Sequence, residues 1–137
     1  MSFIRPIRIS LFRGLEIARV DVTLRVATSS VEFPRSFVFD SGCGLTTVSE
    51  DVAASIQLPT GGQPIPVSSA IGGGTGRLVP VSFRFPPDSI SGEVSDLIDS
   101  SWVVISGRTK LALLGLQEVH RHFTISTDDD SMYFMNR

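Results

Sequence analysis

The sequence is poor in cysteine. Among 137 residues only Cys43 carries a thiol, so no disulfide can form within the chain. A chain without disulfides suits a reducing compartment, and we predict a cytoplasmic protein. Positive charge is not in excess. The sequence has 12 Lys and Arg and 14 Asp and Glu, which gives a formal net charge of -2. This balance argues against partners such as nucleic acid or an anionic membrane surface.

Long apolar runs are also lacking. No run approaches the length that spans a membrane. Arg5, Pro6 and Arg8 interrupt the apolar residues near the N-terminus, so we expect no signal peptide. The length is that of one domain, and we predict a single domain over residues 1–137.

Strand-like alternation is the main pattern that is present. Val20, Val22 and Leu24 alternate with Asp21 and Thr23, which predicts a half-buried strand. Shorter strand-like runs are predicted near residues 7–11, 36–39, 64–70, 77–85, 102–105, 111–114, 123–127 and 132–135. Residues 86–101 are polar and rich in turn-forming residues, and they give little indication of structure. The chain is therefore predicted to be mostly β.

Two short helices complete this prediction. Ser49 is suited to cap the first, because Glu50 and Asp51 follow it and favour the positive end of a helix. Leu116 and Val119 share one face of the second.

One strand delivers a carboxylate directly into a tight turn. The apolar residues before Asp40 predict a buried strand, and Ser41 and Gly42 follow at once. A buried strand that ends in an acid is costly unless the acid has a partner or a chemical role. Gly42 lets the backbone turn, and the Ser41 hydroxyl can fix a neighbouring group. An ordinary strand-to-turn corner is the alternative, since Asp, Ser and Gly are common in turns.

A glycine-rich stretch lies in the middle of the chain. Residues 71–76 separate two strand-like runs, which predicts a hairpin with a flexible tip. Pro80 suggests that this hairpin lies at a sheet edge. A phosphate-binding loop is a poorer interpretation, because the stretch lacks the lysine and the following helix of such loops.

Three segments in this order resemble the retropepsin-type aspartic proteases, the retroviral proteases and their single-domain relatives. Residues 37–49 are similar to the catalytic loop of that family, and residues 71–76 are similar in position to its flap. Leu113, Leu114 and Gly115 are similar to its late apolar-apolar-Gly motif, which opens a short helix. The residues that match the catalytic-loop pattern are Val38, Phe39, Asp40, Ser41, Gly42, Cys43, Thr46 and Thr47.

The resemblance implies a fold and a set of roles. It implies a closed acid-protease-type β-barrel with a flap hairpin and one or two short helices, with the hairpin projecting over Asp40. Asp40 would be the catalytic acid, Ser41 would lock two such loops together, and Gly42 would leave room for substrate backbone. The implied flap residues are Ile71, Gly72, Gly73 and Gly74. The implied supporting residues beneath the site are Thr46, Leu114 and Gly115.

The count of carboxylates then predicts the assembly. Peptide hydrolysis of this type needs an ionised and a protonated carboxylate side by side. The chain has only one Asp-Ser-Gly sequence. A two-fold homodimer supplies the second copy of Asp40. We therefore predict a homodimeric aspartic endopeptidase that acts on a peptide or protein substrate.

Other sites are weaker predictions. His120 and His122 have the spacing of a metal pair without an evident third ligand, so surface histidines are favoured and no metal is predicted. Cys43 occupies the small-residue position of the family pattern, where a buried inert thiol is favoured over a nucleophile. Residues 128–130 are three aspartates, and a solvated turn is favoured there over a cation site. No cofactor is predicted.

Two departures from the family leave the substrate preference open, although they do not affect the catalytic pair. Gly44 and Leu45 stand where many retroviral members carry acids that hold substrate main chain, and residues 86–101 are longer than in the smallest members. A catalytically silent dimer of the same fold that binds extended peptide is the alternative function. A small-ligand or phosphate binder is a third and weaker one.

Overall fold

The structure is a computed structural model, and it describes residues 4–12, 15–25, 32–40, 42–69, 72–85, 92, 96–107, 110–127 and 132–136. Strands make up most of this part of the chain. They are β1 (Ile4–Phe12), β2 (Leu15–Arg25), β3 (Glu32–Asp40), β4 (Thr47–Ser49), β5 (Gln63–Ser69), β6 (Gly72–Arg84), β7 (Ile98–Ile105), β8 (Ala112–Gly115), β9 (Phe123–Thr127) and β10 (Met132–Asn136). The helices of the described residues are α1 (Glu50–Ser55) and α2 (Leu116–His122). The prediction of a mostly β protein with short helices is confirmed.

The strands form one mixed sheet. Their order is β5-β6-β7-β4-β8-β3-β2-β1-β10-β9, and β6 also pairs with β2. Most neighbours are antiparallel, whereas β3 with β8 and β4 with β7 are parallel. Within the described residues the two end strands, β5 and β9, do not pair with each other. The structure therefore does not show a barrel closed by all of the strands, although the β6–β2 pairing joins β6, β7, β4, β8, β3 and β2 in a ring.

The glycine-rich stretch is a strand rather than a hairpin tip. We expected residues 72–76 to form the tip, but β6 begins at Gly72 and pairs with β5 from the register Ser69–Gly72 onward. Backbone pairing does not need side chains, so a run of glycines can join a ladder that its composition does not indicate. At Gly76 a Cβ would lie 2.9 Å from Val67 Cγ2 and 3.0 Å from Val104 O, so close packing requires glycine there. Residues 70 and 71, which connect β5 to β6, lie outside the described residues.

Pro80 lies in an interior strand, although we expected an edge. On one side Pro80 pairs with Ser101 of β7. On the other side β5 pairs with residues 72–78 of β6 and β2 pairs with residues 82–84, so neither strand pairs with Pro80. A proline has no N–H to donate, so it is tolerated at a position with a strand neighbour on one side only.

Two local features near α1 were not predicted correctly. Strand β4 was missed because three residues are too short to show alternation, and its parallel pairing with β7 is a tertiary contact. Ser49 stands at the N-cap position of α1 but makes no side-chain cap bond. Its hydroxyl instead donates to Asp51 Oδ1 and accepts from the Leu111 amide at 3.0 Å, which ties the helix start to the segment before β8.

The core is built around one network of aromatic rings. The rings come from β3, β6, β7, β9, β10 and the residue after β6, with centroid separations from 5.1 to 6.3 Å. Burial of each large ring contributes about 1.5–3 kcal/mol, and edge-to-face pairs add to this. The members are Phe37, Trp102, Phe83, Phe85, Phe123, Phe134 and Phe39.

Removing a ring from the middle of this network should destabilise the fold. Phe83 is fully buried and contacts both Trp102 and Phe85. We expect Phe83→Ala to lower the free energy of unfolding by about 3–5 kcal/mol, because it opens a cavity. Leu97→Ala is the control, since Leu97 is 41% exposed; it should change stability by less than about 0.5 kcal/mol. Urea unfolding at one protein concentration measures both, and equal losses for the two variants would contradict this account of the core.

Candidate active site

Asp40 is the last residue of β3, which is paired on both sides at Val38 and with β8 alone from there to Asp40. Phe37, three residues earlier, is fully buried and anchors the strand in the core. β3 pairs with β2 on one side and runs parallel to β8 on the other. In the β8 register Asp40 lies opposite Gly115. The Asp40 carboxylate therefore lies at a partly exposed position, at the end of a strand that is anchored in the core.

The turn after Asp40 is tight and directs an amide at the carboxylate. The Gly42 N–H donates to Asp40 Oδ1 at 2.9 Å, and the Cys43 N–H donates to the Asp40 carbonyl at 3.1 Å. A Cβ on Gly42 would stand 3.3 Å from Asp40 Oδ1, so glycine keeps this approach free of crowding. Ser41 lies outside the described residues, and its predicted role stays a prediction.

The loop formed by residues 42–46, here called the Asp40 loop, is docked on the start of α2. The first helical amides, Leu116 N–H and Gln117 N–H, donate to Cys43 O at 2.8 Å and to Gly44 O at 3.1 Å. The first N–H groups of a helix have no partner inside the helix, so loop carbonyls are suitable acceptors. The loop is therefore fixed by backbone contacts with α2.

Gly115 makes this docking possible. A Cβ there would lie 2.5 Å from Leu45 C, 2.6 Å from Thr46 N and 2.7 Å from Gly44 O, distances that real Cβ atoms do not reach. Gly115, predicted to support the site, thus lies directly beside the Asp40 loop. Leu114, the residue before it, is fully buried in the core.

Thr46 is buried and links three elements. Its hydroxyl accepts from the Gly115 N–H at 3.0 Å and donates to Glu118 Oε2 at 2.9 Å. Its carbonyl accepts from the Val103 N–H of β7 at 2.9 Å. Thr46, predicted as a supporting residue, thus connects the end of the Asp40 loop to β8, α2 and β7.

Glu118 was not singled out from the sequence. It is 5% exposed, and its carboxylate accepts hydrogen bonds from Thr46 and from the Ser100 hydroxyl, the latter at 2.7 Å. The available signal was an acid in the first turn of a predicted helix, directly after the family's Gly motif. Acids at such positions are usually solvated, so only the tertiary contacts with Ser100 of β7 and with Thr46 distinguish this one.

Cys43 is a half-buried thiol beside two carboxylates. Its Sγ donates to Leu45 O at 2.8 Å and lies 3.5 Å from Thr47 Oγ1. Burial raises the pKa of the Cys43 thiol most, the charges of Asp40 and Glu118 raise it further, and the Thr47 hydrogen bond opposes them. A raised pKa leaves little thiolate near neutral pH, which fits the prediction of an inert thiol.

The structure describes the remaining predicted site residues only in part. Gly72, Gly73 and Gly74 lie at the start of β6, opposite residues 67–69 of β5, while Ile71 lies outside the described residues. His120 and His122 are exposed in the last turn of α2. The described residues contain no group of three His, Cys, Asp or Glu side chains arranged to hold a metal ion. No helix among them is long and apolar enough to cross a membrane.

A cavity of about 300 Å³ lies at the base of the β5–β6 hairpin, and Asp40 does not line it. Arg77 of β6 lines it and makes a forked ion pair with Glu50 of α1, at 2.9 and 3.0 Å. The same guanidinium donates to the carbonyls of Pro59 and Gly61. These contacts tie the base of the hairpin to α1 and the segment after it.

Substitution of Gly115 should disturb the docking described above. We expect Gly115→Ala to destabilise the protein by about 1–3 kcal/mol, because the new methyl meets backbone atoms that cannot rotate away. Gly44→Ala is the matched control in the same loop, since a Cβ there has no atom within 4 Å. Thermal unfolding of both variants at one concentration tests this, and a stable Gly115→Ala protein would show that the loop can move away at little cost.

The comparisons with known proteins agree with this geometry at the level of the fold. No family model and no curated protein matches the sequence. Among solved structures, the chain is similar to the crystal structure of a retropepsin-like aspartic protease from Rickettsia conorii, with a TM-score of 0.62 at 15% sequence identity. The similarity covers 99% of this chain and 94% of that one. The chain therefore has the fold of the retropepsin-like aspartic proteases, as its sequence motifs predicted.

Proposed function

We propose that this chain is an aspartic endopeptidase that acts as a homodimer, in which the paired Asp40 carboxylates activate water to hydrolyse a peptide bond. One observation carries the proposal: on a retropepsin-like fold, Asp40 ends a buried strand at a partly exposed position, and the Gly42 amide donates to its carboxylate. The other carboxylate oxygen, Oδ2, is the one suited to face water or a partner carboxylate.

The chemistry requires two such carboxylates in different protonation states. The ionised one takes a proton from water, and the protonated one donates to the carbonyl oxygen of the substrate. Two carboxylates in one site do not both ionise, because their charges repel, so the pair shares one proton without further help. The Gly42 amide holds one oxygen of each Asp40, which leaves the second oxygen of each for this exchange.

A homodimer supplies the second carboxylate. The chain has only one Asp-Ser-Gly sequence, and a two-fold axis beside Asp40 would bring its own copy into reach. In this dimer Ser41 would hold the two loops together and Gly42 would admit substrate backbone. The docking of the Asp40 loop on α2 supports this, since a rigid loop presents its carboxylate in one orientation.

The β5–β6 hairpin is proposed to be the flap. Its antiparallel strands and its glycines at the start of β6 suit a segment that closes over an extended peptide. Ile71 and Gly72–74 would contact the substrate, and Arg77 would fix the base of the hairpin through Glu50. We further propose that residues 1–137 form one domain, that the protein acts in the cytoplasm, and that it needs neither a metal nor another cofactor.

Replacement of Asp40 tests the catalytic role. We expect Asp40→Asn to abolish cleavage of a mixed peptide library, because the amide keeps the shape but cannot take a proton from water. Wild-type activity should follow a bell with an optimum in acid to mildly acidic solution. It should fall on either side of this optimum, because the proposed mechanism needs one ionised and one protonated carboxylate together. Rates measured against pH, with the dimer fraction alongside, give both results.

Asp96→Asn is the control, since it removes one exposed carboxylate elsewhere and should keep the wild-type profile. Wild-type activity in Asp40→Asn, or activity that rises steadily into alkali, would contradict the protease proposal. A wild-type dimer that binds extended peptides without cleaving them at any pH would instead establish the silent binding protein.

Mixing of chains tests the need for two copies. If each site uses both copies of Asp40, a nine-fold excess of Asp40→Asn chains should reduce wild-type activity to about one tenth after exchange. The same excess of Asp96→Asn chains should add activity instead. Sedimentation at micromolar concentration should show a dimer in all mixtures. Undiminished activity in the presence of Asp40→Asn, with exchange shown by sedimentation of labelled chains, would mean that one chain suffices.

A further inference from the structure

Glu118 is a charged side chain that the proposed reaction does not use, yet it is 5% exposed. Removal of a carboxylate from water costs several kcal/mol unless hydrogen bonds replace the lost hydration. Its Oε2 accepts from the Thr46 N–H at 3.2 Å and the Thr46 hydroxyl at 2.9 Å, and its Oε1 accepts from the Ser100 hydroxyl at 2.7 Å. All of these donors are neutral groups.

These donors connect Glu118 to two other parts of the fold. Thr46 ends the Asp40 loop, Ser100 belongs to β7, and Glu118 itself belongs to α2. The Thr46 hydroxyl can donate only one proton, which goes to Glu118, and it is therefore oriented to accept from the Gly115 N–H at 3.0 Å. Gly115 in turn lies opposite Asp40 in the strand register.

We infer that Glu118 is a positioning residue for the Asp40 loop, holding Thr46 between α2 and β7 so that Asp40 is presented in one geometry. This inference rests on the proposed function for its effect on catalysis. Glu118 does not touch the reacting atoms in this account. It acts through Thr46, because the carboxylate determines which way the Thr46 hydroxyl points and how closely the loop approaches Gly115.

A purely stabilising role makes a different prediction. If Glu118 only adds stability, its loss reduces the amount of folded dimer, and the remaining dimer works normally. If Glu118 positions the loop, folded dimer that lacks it should have a lower kcat. Kinetics must therefore be normalised to the folded dimer measured by sedimentation.

Three variants separate these roles. Glu118→Leu removes all of the acceptors, and we expect about a 100-fold loss of kcat with KM changed little, as for a displaced catalytic group. Glu118→Gln should keep most of the wild-type kcat, because the amide oxygen accepts from Thr46 and the amide nitrogen donates to Ser100. Ser100→Ala removes one donor and should give a smaller loss. Asp99→Asn, an exposed acid on the same strand, is the matched control and should leave kcat unchanged.

The single cysteine offers a readout that does not depend on peptide cleavage. Cys43 lies in the Asp40 loop, and burial and the charge of Glu118 both raise the pKa of its thiol. Glu118→Gln removes only the charge, so alkylation by iodoacetamide at neutral pH should become slightly faster. Glu118→Leu should also release the loop and expose the thiol, with an acceleration of about ten-fold or more. Asp99→Asn should alkylate at the wild-type rate.

The outcomes decide the inference in each case. Equal kcat for wild-type, Glu118→Leu and Glu118→Gln, or equal alkylation rates for the two Glu118 variants, would overturn it. If Glu118→Leu does not fold, Ser100→Ala decides, and wild-type kcat and alkylation rate in that variant would overturn the inference. If wild-type protein cleaves no peptide, the proposed function fails, while the alkylation rates still show whether Glu118 holds the loop.

Discussion

The absence of a side chain at Gly115 is the constraint on which the site depends. Any Cβ there would overlap the backbone of residues 44–46, so only glycine lets β8 and α2 approach the loop at backbone distance. That approach brings the first amides of α2 to the carbonyls of Cys43 and Gly44. The same approach puts the Gly115 N–H within reach of the Thr46 hydroxyl. The position of Asp40 follows from these backbone contacts, and the Gly42 amide fixes the orientation of its carboxylate.

Within the part of the chain that the structure describes, two acids near this junction accept different numbers of hydrogen bonds. Asp40 is partly exposed and receives the Gly42 amide on one oxygen. Glu118 is buried, and both of its oxygens accept hydrogen bonds. A carboxylate with both oxygens occupied is suited to hold structure, whereas one whose second oxygen meets no donor among the described residues is suited to exchange protons. Hydrogen bonding therefore separates the proposed catalytic acid from the positioning acid.

Much of the fold could be predicted where a local pattern repeats. The alternation of Val20, Val22 and Leu24 indicated β2, and the apolar run into Asp40 indicated β3. Prediction failed where backbone pairing decides the structure. Residues 72–76 carry too few side chains to show that they belong to β6, and β4 is too short to show a period. Closure of a barrel by all of the strands is also not shown, and the pairing of distant strands is not a local property of the sequence.

By itself, the sequence determined which residues can form the site: one acid after an apolar run, a glycine that permits the turn, and a later glycine before a helix. These follow from residue chemistry and order along the chain. Only the tertiary structure decided that Gly115 contacts the loop, that Thr46 points at Glu118, and that Glu118 is buried. Those contacts join residues about 70 positions apart, and burial depends on how helices and strands pack rather than on neighbouring residues.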